Sequence, residues 1–127
     1  MPRQASTARL QVFLIADVRG YTRFTVDHGD EAAADLARRF IEVTRSVLRE
    51  QNGQLVELRG DEAVAVFSSA RSGVRTALAL QERFIAETVA DPTVPLLVGI
   101  GLDVGEAVRL EDGFRGDALN MGRPSVR

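Results

Sequence analysis

The chain contains no lysine; every basic residue is an arginine. A Walker-type phosphate loop needs its lysine, and a Schiff-base enzyme needs a lysine amine, so both classes are excluded. Cysteine is absent as well, which removes disulfides, zinc ribbons and thiol nucleophiles and leaves the redox compartment open. The single histidine, His28, cannot build a multi-histidine metal site. Neither sign of charge dominates: the net charge is −2. Bulk attraction to nucleic acid or to an anionic membrane is therefore not expected. No apolar run approaches the ~20 residues that span a bilayer. The opening residues, Met1-Pro2-Arg3-Gln4-Ala5-Ser6-Thr7, lack the apolar core of a signal peptide. A cytoplasmic location is the expectation.

What is present is enough for one domain. The 127 residues, 45% of them apolar, can bury a proper core. Residues 1–9 read as a disordered lead-in and residues 10–127 as the domain. Two apolar stretches in it end on an aspartate. Val12-Phe13-Leu14-Ile15-Ala16 runs into Asp17, and Leu55-Val56-Glu57-Leu58-Arg59-Gly60 runs into Asp61. A carboxylate at the lip of a buried strand is costly unless something cationic meets it.

Periodicity gives the elements around them. Residues 10–16 form a continuous apolar run that suits a central strand. Gly29-Asp30-Glu31 opens a long helix with acids in its first turn. Its apolar stripe is Ala33, Leu36, Ala37, Phe40, Val43, Thr44, Val47 and Leu48, and Asn52-Gly53 stops it. Residues 54–59 and 62–67 are strands joined by a tight turn at Gly60-Asp61. Ser68-Ser69 caps a second helix over residues 70–90, with a core face of Val74, Ala77, Leu78, Leu80, Gln81, Phe84 and Ile85. Residues 96–103 and 106–110 read as a fourth and a fifth strand. Residues 116–120 read as the opening of a further helix, which Pro124 interrupts.

The order β-α-β-β-α-β-β is that of an α+β, ferredoxin-like split βαβ sandwich: a mainly antiparallel sheet, helices on one face and an extra C-terminal strand. In the sheet order 4-1-3-2, strand one lies beside strand three. Asp17 and Asp61 then share one edge. Paired carboxylates with hard oxygen donors favour Mg²⁺ or Mn²⁺. The turn after Asp17 offers backbone N–H groups, and Thr22 a hydroxyl, to phosphate oxygens. No side chain in the set is a strong nucleophile, which favours a substrate that supplies its own, such as a ribose hydroxyl. For either aspartate alone, plain turn chemistry is the competing reading.

Asp17-Val18-Arg19-Gly20-Tyr21-Thr22 and Glu57-Leu58-Arg59-Gly60-Asp61-Glu62-Ala63 resemble elements of the class III nucleotidyl cyclases. Gly99-Ile100-Gly101-Leu102-Asp103-Val104-Gly105-Glu106 is similar to that family's strand ending in Gly-Glu. Gly116-Asp117-Ala118-Leu119-Asn120 is similar to its helix start. The resemblance covers residues 10–121 in the family's order. It implies a homodimeric enzyme that forms a 3′,5′-cyclic purine nucleotide and pyrophosphate from GTP or ATP with two Mg²⁺ or Mn²⁺ ions. Asp17, Asp61 and the Val18 carbonyl would hold the metals. Val18, Arg19, Gly20, Tyr21 and Thr22 would line the polyphosphate, and Asn120 would orient the ribose. The purine selector falls at Glu57, where a carboxylate leans towards guanine. The second selector position falls near Gly113, which has no side chain to contribute.

The family's transition-state arginine falls at Pro124, with Arg123 one residue early. One step along a helix turns a side chain by ~100°. The segment 122–127 departs from the family pattern and reads as a truncated or frame-shifted end. These departures favour the alternative of a catalytically degenerate cyclase homology domain acting as a nucleotide-binding or regulatory dimerisation module. A receiver-type phosphoacceptor reading needs a lysine and regular β-α alternation, and the chain has neither.

Overall fold

The computed structural model describes the backbone of residues 8–110 and 113–116 and the side chains of residues 10–106. The elements are β1 (Ala8–Val18), α1 (Tyr21–His28), α2 (Asp30–Glu50), β2 (Gln54–Leu58), β3 (Glu62–Phe67), α3 (Ala70–Ala90), β4 (Val98–Leu110) and β5 (Gly113–Gly116). The five strands form one antiparallel sheet in the order β2-β3-β1-β4-β5. The expected 4-1-3-2 core is present, with β5 added at the outer edge of β4.

Alternation along β1 divides the core. Val12, Leu14, Ala16 and Val18 face the helices and pack with Leu36, Phe40, Val43, Val47, Leu80 and Phe84. Phe13 and Ile15 face the other way and are buried with Val64 and Val66. The stripe predicted for α2 is the one that is buried. Phe40 of α2 stacks on Phe84 of α3 at a centroid separation of 5.6 Å, which ties the two helices together over the sheet.

Four expectations are corrected. First, a separate short helix, α1, follows β1 directly, and Gly29 with φ 94° turns the chain from it into α2. Its amphipathicity is weak and none of its residues is fully buried, so no apolar period announced it. His28 is the last residue of this helix, directly before the Gly29 N-cap of α2, with its ring 4.4 Å from that of Phe24. Second, residues 98–110 form a single strand, because β4 pairs with β1 without interruption from Val18↔Val98 to Ala8↔Val108. Third, Gly116 closes β5 rather than opening a helix. The rest of that proposed helix, including Asn120 and Arg123, lies outside the described residues.

The fourth correction concerns α3. Gly73, Thr76, Leu80 and Phe84 face inward, whereas Val74, Leu78 and Ile85 are exposed. The helix carries two apolar stripes, and periodicity alone cannot say which one docks. A Cβ at Gly73 would stand 3.0 Å from Val12 Cγ1. Gly73 thus lets α3 lie close against β1, on the side of Thr76, Leu80 and Phe84.

Candidate functional site at the β1–β3 edge

The site is built where β1 ends. Asp17 is the last β1 residue in register with β3, paired with Glu62. The next main-chain N–H, that of Val18, leaves the ladder and donates to the Asp61 carbonyl at 2.9 Å. On the other side, Asp17 pairs with Gly99 of β4, and the Arg19 N–H donates to the Leu97 carbonyl at 2.6 Å. The end of β1 is thus held by hydrogen bonds from both sides. Both predicted metal aspartates sit at this one edge, as the sheet order requires.

The turn carrying Asp61 is positioned by packing. The Arg59 N–H donates to the Glu62 carbonyl at 2.8 Å, which closes the turn. A Cβ at Gly60 would stand 2.7 Å from the Ala37 Cβ. Gly60 is therefore a glycine because α2 lies directly on it.

After Asp17 the chain turns through Arg19 and Gly20. Gly20 has φ 69°, in the left-handed region that glycine adopts without strain. The Phe24 N–H donates to the Gly20 carbonyl at 2.8 Å and starts α1. Gly20 brings no capping side chain, so the N–H groups of the first turn of α1 are left to an incoming acceptor. Thr22 is exposed in that turn. Tyr21 is not: its ring packs on the core and its hydroxyl donates to the Ala33 carbonyl at 3.3 Å. Of Tyr21, only the main chain remains for a ligand. Val18 is buried, so it too can offer a ligand only its main chain.

Strand pairing also defines a row of side chains on the face away from the helices, because directly paired residues share a face. Asp17, Glu62 and Gly99 form one row, and Ile15, Val64, Gly101 and Glu57 form the next. Glu57 therefore shares the face of Asp17, across about two strand spacings or ~10 Å. It lies just after a bulge in β2 and pairs with Arg59, Arg59 Nη2 to Glu57 Oε2 being 2.5 Å. On β4, glycines at 99, 101 and 105 alternate with Val98, Ile100, Leu102 and Val104. The result is a strand that is apolar towards the helices and, on the Asp17 face, bare at Gly99 and Gly101 before Asp103. That period-two glycine pattern is the signal that could have marked this surface from sequence.

Sequence reading also missed the placement of the Arg19 side chain. Its Nε lies 3.7 Å from Asp17 Oδ1, and its guanidinium lies against Gly99, in the volume that a Cβ there would fill. As a cation site the edge fits Mg²⁺ or Mn²⁺ chemically: its side-chain donors are hard carboxylate oxygens at a partly exposed rim. Among the described residues no group of three or more His, Cys, Asp or Glu stands ready to hold a metal. Main-chain and substrate oxygens would have to complete any coordination shell.

No protein-family model matches the chain. It is 28% identical over 109 residues to the serine/threonine-protein kinase pkn2 of Myxococcus xanthus, covering 85% of this chain and 13% of the kinase. It is 27% identical over 124 residues to the "Putative adenylate cyclase 3" of Rhizobium meliloti, covering 95% of this chain and 21% of that protein. The chain thus spans only a small part of either curated relative. Among solved structures, the adenylate/guanylate cyclase/hydrolase from Silicibacter pomeroyi is 30% identical with a TM-score of 0.68, over 89% of this chain and 66% of that one. A bacterial light-regulated adenylyl cyclase is 17% identical with a TM-score of 0.75, over 94% of this chain and 67% of that one. With the sheet order, the strand register and the order of the sequence motifs, these likenesses establish that the chain belongs to the class III adenylyl/guanylyl cyclase domain family.

Proposed function

We propose that this domain converts GTP or ATP into a 3′,5′-cyclic purine nucleotide and pyrophosphate. The observation that carries the reading is the register of β1 on β3, which brings Asp17 beside the Asp61 turn, with the open first turn of α1 following it in the chain. Carboxylates and unpaired N–H groups at one edge are complementary to a metal-bound triphosphate.

Asp17, Asp61 and the Val18 carbonyl hold two Mg²⁺ or Mn²⁺ ions in this reading. When bound, the ions polarise the α-phosphate and neutralise charge on the attacking and leaving oxygens. The chain's own residues do the positioning. The first turn of α1, with Gly20, Tyr21 and Thr22, receives the polyphosphate through main-chain N–H groups and the Thr22 hydroxyl. The ribose 3′-hydroxyl is the nucleophile, so no side chain has to be one. Glu57 accepts hydrogen bonds from the purine edge, and a carboxylate there suits the N1–H and amino group of guanine. Asn120 orients the ribose, and Arg123, one residue ahead of the family's transition-state position in the sequence, supplies the cation. In such a site one subunit supplies the aspartates and its partner supplies Glu57 and the C-terminal residues, so the active unit is a homodimer. Among the described residues no helix is long and apolar enough to cross a membrane.

Incubating the 127-residue chain with each triphosphate and Mn²⁺ and analysing for cyclic nucleotide tests this directly. Cyclic product that disappears in Asp17→Ala supports the enzyme. A second reading, a degenerate domain that binds nucleotide without turning it over, is favoured by the Glu57–Arg59 pair, which occupies the purine-selecting carboxylate. Calorimetric binding of GTP without product would select it.

A further inference from the structure

The exposed cation nearest Asp17 is Arg19, and β4 is shaped to receive it. A side chain at position 99 would collide with Nε, Cζ and Nη2 of Arg19 at once, so the guanidinium lies flat against the Gly99 main chain. The next glycine on that face, Gly101, has open space above it, which shows that a bare strand need not be covered. Two anchors aim the side chain. The Arg19 N–H is fixed to the Leu97 carbonyl at 2.6 Å, and Nε stands 3.7 Å from Asp17 Oδ1. The other side-chain groups in this row are the Asp17 and Glu62 carboxylates, and the Asp61 turn adjoins it. The surroundings of Arg19 are therefore acidic.

We propose that Arg19 is a resident counter-ion of the proposed metal edge. In the nucleotide-free chain its guanidinium rests in the Gly99 notch and partly neutralises Asp17. A divalent ion binding at Asp17 would compete with it, because two cations beside one carboxylate repel, modestly at this exposed rim. Once displaced, the guanidinium stands at the base of the first turn of α1, where the polyphosphate is proposed to lie. There it supplies a charge-assisted hydrogen bond to phosphate oxygen. Arg19 thus opposes metal binding in the absence of nucleotide and favours nucleotide once metal is present. This makes it a positioning residue that couples the two ligands. The inference rests on the metal reading of Asp17 given above.

The two can fail separately. Mn²⁺ binding to the full chain is measured by electron paramagnetic resonance without nucleotide, on wild type, Arg19→Ala, Gly99→Ala and Asp17→Ala. Circular dichroism checks that each variant is folded. The exposed Asp17–Arg19 pair is worth little, so the expected gain in Mn²⁺ affinity is about threefold in Arg19→Ala. A gain of the same sign is expected in Gly99→Ala, which removes the notch but keeps the charge. In the presence of Mn²⁺, Arg19→Ala should bind a non-hydrolysable triphosphate several-fold more weakly, and Gly99→Ala should not. Unchanged or weaker Mn²⁺ binding in Arg19→Ala, with Asp17→Ala abolishing it, overturns the counter-ion role alone. No Mn²⁺ binding in any form overturns the metal reading and the counter-ion role with it.

Discussion

The Val18 main-chain N–H donates to the Asp61 carbonyl at 2.9 Å, one residue beyond the last ladder pair of β1 and β3. That bond fastens the β2–β3 turn to the end of β1. It makes the edge a single rigid unit whose two aspartates cannot drift apart without breaking a main-chain contact.

The turn is seated by α2 as well as by β1. Gly60→Ala is predicted to destabilise the fold by about 1–3 kcal/mol, because a Cβ would press into Ala37 and push the helix or the turn aside. The same displacement moves Asp61. Urea denaturation gives the stability change. A paired Ala37→Gly substitution, which clears the space, should recover more than the glycine's helix penalty of about 1 kcal/mol takes away.

The two helices are held over the sheet by the Phe40–Phe84 stack, and both rings are fully buried. Phe84→Ala should cost about 3–5 kcal/mol. Phe84→Leu should cost markedly less. Equal losses in thermal unfolding would contradict the stacking account.

Thr44 is 1% exposed in the middle of α2, and its hydroxyl finds no partner among the described residues. An unsatisfied buried hydroxyl carries a desolvation penalty that an isosteric methyl removes. Thr44→Val is therefore predicted to stabilise the chain by about 1 kcal/mol, read as a raised Tm.

Asp91 follows α3 and accepts from the Thr93 hydroxyl at 2.6 Å and the Thr93 N–H at 3.2 Å; Arg39 of α2 lies 3.6 Å away. The Thr93 hydroxyl first, and the Arg39 charge after it, hold its carboxyl below the usual 3.8. A depressed pKa adds stability above the unfolded value, and that contribution disappears as pH falls through the folded one. Wild type should therefore lose more stability than Asp91→Ala as pH drops below about 4. Parallel acid-unfolding profiles would contradict this.

How much of this was legible in the sequence follows from where each signal is stored. The α2 stripe and the run into Asp17 are periodic and local, and they were read as they stand. The meeting of Asp17 with Asp61 is long-range, but the element order dictates it. Two features were hidden. The α3 docking face depends on a close approach at Gly73 that no period encodes, so periodicity puts Val74, Leu78 and Ile85 inside whereas they lie outside. The Arg19 notch depends on a glycine in β4, separated from Arg19 in the chain by two strands and three helices. Glycine marks such a place only when the strand's alternation is read for what is missing as well as for what is buried.

If Asp17 and Asp61 form one metal–nucleotide edge, both carboxylates are needed to hold metal. The direct measurement is the stoichiometry of Mn²⁺ bound to the full chain in the presence of a non-hydrolysable GTP or ATP analogue, for wild type, Asp17→Ala and Asp61→Ala. Two ions are expected in wild type and loss of metal in each variant, with folding intact by circular dichroism. Equal Mn²⁺ binding by wild type and both variants would contradict it.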